Sequence, residues 1–187
     1  EFLRDFNMSH PDIHLDLVFM PTVRQHVAIL QNTIDVGFIY GEFHHQTTDS
    51  LVFDENEYVV VLPSDHPLAR KPTLTLAELK NEKFVFGRGE SWVVFRQQVF
   101  EKCRSKGFFP DIVLEATNTD GIFGLVIVGA GVAIYSSCIE NMARQGVAIR
   151  RLTDLSEKLP ITAVWGRSKR SMVLDTFLNH LRDKSKD

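Results

Sequence analysis

The sequence predicts an α/β fold, and three observations carry that prediction. Short apolar runs that read as strands alternate along the chain with stretches of helical period. Residues 13–41 form a strand–helix–strand series, which implies parallel strands joined by a right-handed crossover. No repeat of roughly 20–50 residues and no low-complexity segment interrupts the alternation.

Residues 1–9 read as the end of a helix, with Phe2, Leu3 and Phe6 on one face and "SHPD" as its stop. In "IHLDLVF" (13–19), Ile13, Leu15, Leu17 and Phe19 alternate with His14, Asp16 and Val18, the period of a half-exposed strand near a sheet edge. "PTVRQHVAILQNT" follows as a helix. Pro21 suits its first turn, and Val23, Val27, Leu30 and Ile34 form its apolar stripe. "IDVGFIYG" is the next strand, and a polar loop, "EFHHQTTDS", leads to "LVFDENEYVVVL", two short strands or one broken strand.

The run Val59–Leu62 stops abruptly at Pro63, and Ser64, Asp65, His66 and Pro67 follow. Proline offers no N–H to a ladder, so the stretch reads as punctuation between two subdomains. Beyond it, Thr75 and Glu78 form a capping-box pattern for a short helix at 75–80. "KFVFG" is a strand. "SWVVFRQQVFEKCRSKGF" is a helix with Trp92, Phe95, Val99 and Cys103 on one stripe and Gly107 as its stop. "DIVLEAT", "VAIY", "VAIRRL" and "ITAVWG" read as strands, and "NTDGIFGLVIVGAG" as a helix with a glycine end. "SCIE" (137–140) offers a second capping box. The last helix carries Leu174, Phe177, Leu178 and Leu181 on one face.

The 187 residues suit one ordinary domain or two small lobes, and a hydrophobic share of 44% provides a core. The longest uncharged apolar stretch, "GIFGLVIVGAGVAIY", is too short and too rich in glycine to span a bilayer, so no membrane partner is expected. No basic-then-apolar leader opens the chain, which favours the cytoplasm. The net charge is -3, and the basic clusters "RKP" (70–72) and "RSKR" (167–170) are short and solvated, so this chain alone is not expected to hold nucleic acid. Cys103 and Cys138 lack metal-ligand or redox spacing and read as two reduced core thiols. No HExxH, GxSxG or Walker A motif occurs, and no GxGxxG follows a strand; no enzyme activity and no cofactor is expected.

Four blocks in order carry a family resemblance. The first is "VVVLPSDHPLARKPTLTLAELKNEKFVF", with Leu62-Pro63, then His66-Pro67-Leu68-Ala69, then Leu76-Ala77-Glu78-Leu79, then Phe84-Val85-Phe86. The others are "GIFGLVIVGAGVAIYSS", "QNTIDVGFIYG" and "ITAVWGRSKRSMVLDTFLNHL". Together they resemble the effector-binding domain of LysR-type transcriptional regulators over nearly the whole chain. That resemblance implies two Rossmann-like lobes joined by two crossover strands, a fold like that of type 2 periplasmic binding proteins. Lobe I would comprise 1–62 plus 162–187 and lobe II 63–161, with 57–62 and 161–165 as a paired hinge. It also implies a small-molecule effector in the inter-lobe cleft and promoter DNA bound only through a winged helix-turn-helix that these residues do not contain. A first strand of lobe I, expected ahead of the opening helix, is likewise not among them. A C2 homodimer is implied, through residues 1–20 and the helix near 120–130, with a tetramer as a further option in the full-length protein. The rival is a periplasmic type 2 solute-binding protein of a transporter.

In α/β proteins ligands bind beyond the carboxyl ends of strands, where helices begin and free N–H groups favour anions. Three junctions qualify. "MPT" offers Thr22; "GRGESW" offers Arg88 as an anion partner, Ser91 as a cap and Trp92 as an apolar wall; "NTDG" offers Asn118 and Thr119, with Phe123 a turn inside. By resemblance, the family's effector contacts fall at these junctions. The hydroxyls and the amide also suit plain helix caps, which need no ligand. The set favours a small carboxylate with an apolar or aromatic body.

Overall fold

The structure, a computed structural model, describes residues 2–142, 144–169 and 171–185. The chain divides into two compact units, residues 1–55 with 160–187, and residues 56–159. It passes from one unit to the other near the end of one strand and near the start of another.

The first unit opens with helix α1 (Phe2–Ser9), then α2 (Thr22–Leu30), β1 (Val36–Tyr40) and β2 (Thr48–Asn56). Later in the chain, β9 (Leu159–Gly166) and α5 (Met172–Lys184) complete it. Its sheet has the order β1-β9-β2, and β1 runs antiparallel to β9 from Val36 opposite Trp165 to Tyr40 opposite Ile161. The alternation of β9 supplies both faces. Ala163 and Trp165 pack with Leu174, Leu178 and Leu181 of α5, while Val164 packs with Ile29 of α2 and Ile39. The stripe expected on α5 is buried, and Ser171 caps that helix by accepting from the Leu174 N–H at 3.1 Å.

The second unit contains β3 (Tyr58–Pro63), β4 (Thr73–Leu74), β5 (Lys83–Gly87), α3 (Val93–Ser105), β6 (Asp111–Ala116), α4 (Thr119–Ile127), β7 (Ala133–Ser136) and β8 (Val147–Leu152). Short 3₁₀ turns at Pro67–Arg70, Leu76–Leu79, Glu90–Trp92 and Ser137–Met142 link them. One sheet has the order β4-β8-β3-β7, and β5 pairs with β6 in parallel. The two are joined through the segment leading into β7: the Val132 N–H donates to Lys83 O at 2.8 Å and the Val85 N–H to Val132 O at 2.9 Å. The core gathers Val59, Val61, Val85, Ile122, Phe123, Val126 and Tyr135.

Several expectations are corrected. The run Val59–Leu62 does not form a hinge with 161–165; β3 pairs with β7 and β8 inside the second unit. Its four residues are each 0% exposed, and an unbroken apolar run belongs where both faces are covered. Residues 13–19 form no strand, so 13–41 is not a strand–helix–strand unit. That segment finds no ladder partner among the described residues, and an alternating pattern without a neighbour makes no ladder. On α2 the buried residues are Ala28 and Ile29, while Val23, Val27 and Leu30 are exposed.

At Leu76–Leu79 the expected capping box is present, and the Glu78 carboxylate accepts from the Thr75 N–H at 2.7 Å and its hydroxyl at 2.9 Å. The Lys71 ammonium and these bonds pull Glu78 down to about 2. Ser137 is the first residue of its 3₁₀ turn rather than the cap; its hydroxyl accepts from the Glu57 N–H and donates to Asn56. Cys103 is buried, which pushes its thiol up to about 12, but Cys138 is exposed. Of the "RSKR" cluster, Arg167 pairs with Asp49 and Lys169 with Asp35, while Arg170 lies outside the described residues. Among the described residues no helix is long and apolar enough to cross a membrane.

Candidate functional site

In the second unit the parallel pairing of β5 and β6 brings two of the three junctions side by side. Gly87 lies opposite Ala116 at the carboxyl ends, and the Arg88 N–H extends the ladder by donating to Ala116 O at 2.9 Å. The turn Glu90–Trp92 and helix α3 leave from one strand, and α4 leaves from the other. The Trp92 indole bridges them, donating from Nε1 to Thr117 O at 3.4 Å. Its ring meets Tyr135 edge-on at 5.5 Å, so it also reaches the end of β7. Arg88, Ser91, Trp92, Asn118 and Thr119 therefore share one carboxyl edge.

Their individual roles differ from one another. Ser91 is exposed and lies inside the 3₁₀ turn, where Gly89 holds the N-cap position; the N-cap of α3 is Trp92, with no side-chain bond. Ser91 is thus not the cap it was expected to be. Among the described residues its hydroxyl has no partner, and neither does the exposed Arg88 guanidinium. Asn118 is a cap, its Oδ1 accepting from the Gly121 N–H at 2.8 Å, and half-buried Thr119 is the first residue of α4. Phe123 is placed in the core at 0% exposure, beneath the Arg144 guanidinium at 5.0 Å, rather than at a surface. Arg144 also pairs with Asp120 at 2.7 Å.

The third junction belongs to the first unit. Thr22 is half-buried and opens α2, whose N-cap is Pro21 without a side-chain bond; among the described residues its hydroxyl has no partner. Sequence reasoning missed a neighbouring feature one turn along. The His26 ring stacks on Phe43 at 3.9 Å, and the ring of His45 lies parallel to Phe43 at 6.3 Å. Burial pulls His26 below the usual imidazole range, and its Nε2 is buried without a hydrogen bond. The signal was present in "EFHHQTTDS", a polar loop that follows the carboxyl end of β1 as the chosen junctions follow theirs. No group of three or more His, Cys, Asp or Glu among the described residues could hold a metal ion.

The LysR substrate binding domain family matches residues 1–186. The chain belongs to that family. Its relatives include the HTH-type transcriptional regulator AlsR of Bacillus subtilis, 25% identical over 163 residues, which cover 87% of this chain and 53% of AlsR. The Hca operon transcriptional activator HcaR of Escherichia coli is 26% identical over 182 residues, 96% of this chain and 60% of HcaR. This LysR substrate binding domain thus spans about half the length of the first of these and somewhat more of the second. Among solved structures, the BenM effector binding domain with its effector benzoate superposes with a TM-score of 0.88 at 19% identity, covering 97% of this chain and 83% of that one. Full-length CbnR complexed with its target DNA gives 0.90 at 22% identity, covering 100% and 65%. These likenesses establish the fold, a type 2 periplasmic-binding-protein-like architecture.

Proposed function

We propose that this LysR substrate binding domain is the ligand-sensing part of a LysR-type transcriptional regulator, and that its ligand is a small carboxylate with an apolar or aromatic body. The hydroxyls of Thr22 and Ser91, without partners among the described residues, carry the proposal. Each stands where a helix begins, and neither is spent on capping. Arg88 adds a cation unpaired among the described residues, and Trp92 an aromatic surface beside Ser91. Backbone N–H groups at the helix starts complete an anion-favouring set. The benzoate bound by BenM fits the same ligand class. Promoter DNA would be held by a winged helix-turn-helix of the full-length protein, with the domain acting as a homodimer in the cytoplasm and a tetramer as a further option in the full-length protein.

Titration calorimetry with benzoate and a panel of related aromatic and aliphatic carboxylates tests the ligand class. Saturable binding by at least one acid is expected. Failure of every acid, alongside binding of uncharged analogues, would overturn the proposal.

A further inference from the structure

Three sequence blocks converge on a cavity that none of the carboxyl-edge residues touches: the "LPSDHP" exit, the "NEK" entry to β5 and the "GAGV" turn before β7. Pro63, His66, Asn81, Glu82, Lys83 and residues 129–132 line a volume of about 280 Å³. Lys83 is the first residue of β5 and Val132 immediately precedes β7, so the cavity lies at the amino ends of these strands. Arg88 and Ser91 follow the other end of β5.

The lining carries charges of both signs. Glu82 Oε2 lies 3.4 Å from His66 Nε2, and His66 Nδ1 accepts from the Leu68 N–H at 3.3 Å, so Nε2 carries the imidazole proton toward the carboxylate. Helix α4 ends here too. Its final turns close through the Val128 N–H to Gly124 O, Gly129 to Val126 and Ala130 to Leu125. No basic side chain stands in its last turn to offset the negative end of the helix dipole. Lys83 supplies the positive charge of the lining: it is exposed, and its ammonium has no partner among the described residues. At residue 131 the main chain of the lining packs closely against β5. A Cβ at position 131 would lie 2.5 Å from the Lys83 carbonyl oxygen.

A pocket slightly below the ~300 Å³ at which small-molecule sites begin suits a compact ligand. A carboxylate and an ammonium in one small lining suit a zwitterion. We propose that this cavity is a second ligand site that takes a free α-amino acid. The ammonium group faces Glu82 and the end of α4, and the carboxylate faces Lys83 and the Asn81 amide. Such a site is independent of the carboxyl-edge ligand and would let the domain register two metabolites of different charge type.

The test is a nitrogen-15 NMR titration of the chain with each standard L-amino acid at millimolar concentration. At least one is expected to shift the amides of Gly129, Gly131 and Val132 saturably. Its deaminated acid and its decarboxylated amine are expected to bind at least about ten-fold more weakly, the loss of one charged contact. Glu82→Gln and Lys83→Met should each weaken binding by a similar factor with an unchanged far-ultraviolet spectrum. Lys83→Met, at an exposed position, keeps the test valid should Glu82→Gln disturb the His66 turn. Absence of shifts at these three amides with every amino acid overturns the site, as does binding that survives both substitutions.

Discussion

The indole of Trp92 occupies the space in which a side chain at Gly87 would stand. A Cβ built there lies 1.8 Å from Trp92 Cδ2 and 2.3 Å from Cε2 and Cγ. Gly87 is therefore what lets an aromatic ring lie flat over the end of β5, and the ring in turn fixes the Glu90–Trp92 turn that presents Ser91. Gly87→Ala is expected to expel the indole and to cost about 1–3 kcal/mol, the usual cost of overpacking. In a Trp165→Phe background, Trp92 is the sole tryptophan, so its emission reports the displacement. Unchanged emission and an unchanged denaturation midpoint would show that the ring rests elsewhere.

His26 supplies a pH dependence. Burial lowers its folded-state pKa below the ordinary 6.5, so below that value the unfolded chain binds more protons than the native one. Stability from this group is present above pH 6.5 and is lost as pH falls through the folded-state value. Its surroundings include Phe43 and His45 in the stack and the Glu42–His44 pair in the same loop. The melting temperature of the native chain should fall more steeply between pH 7 and 5, roughly the range in which imidazoles titrate, than that of His26→Phe. Parallel curves would remove His26 as the cause.

What was legible in the sequence follows the physics of each signal. Val59–Leu62 was readable as a buried strand because four consecutive apolar residues need cover on both faces; its partners were not, since pairing is decided by distant segments. The stripe of α5 was readable because one helix face meets one sheet. Residues 13–19 have a strand's alternation yet form none, because a ladder needs a neighbour as well as a pattern. At the candidate site, residue types pointed to helix starts but could not say which were caps. Asn118 is one, while Ser91 and Thr22 are not, a difference that depends on where the first turn begins. The cavity at the amino ends was invisible, since its lining comes from three separated segments.

Residues 17–19 carry a prediction about assembly. Leu17, Val18 and Phe19 are 70%, 59% and 89% exposed on extended chain without ladder partners, an apolar surface that another copy can cover. A homodimer built on this segment should sediment as such at tens of micromolar, and Phe19→Asp should shift it toward monomer. Because Phe19 has almost no packing within the chain, the melting temperature extrapolated to low concentration should hardly move. A native chain that is monomeric throughout the range, or a Phe19→Asp variant that dimerises equally well, would place the interface elsewhere.

Thr22 belongs to the first unit and Ser91 to the second, and substituting each tests whether its own helix start takes part in ligand binding. Neither hydroxyl supports its own helix, so Thr22→Val and Ser91→Ala remove a donor without removing a cap. A lost hydrogen bond to a charged ligand group costs about 1.5–3 kcal/mol, which is roughly ten- to a hundred-fold in affinity. Each variant should therefore bind an identified carboxylate that much more weakly while melting near the native temperature. Asn118→Ala makes the contrast, since its side chain caps α4 and its loss should cost about 1 kcal/mol of stability whether or not a ligand is present. Calorimetry showing native affinity in both hydroxyl variants would move the ligand away from these helix starts. Weakened binding in only one would assign the carboxylate contact to that unit.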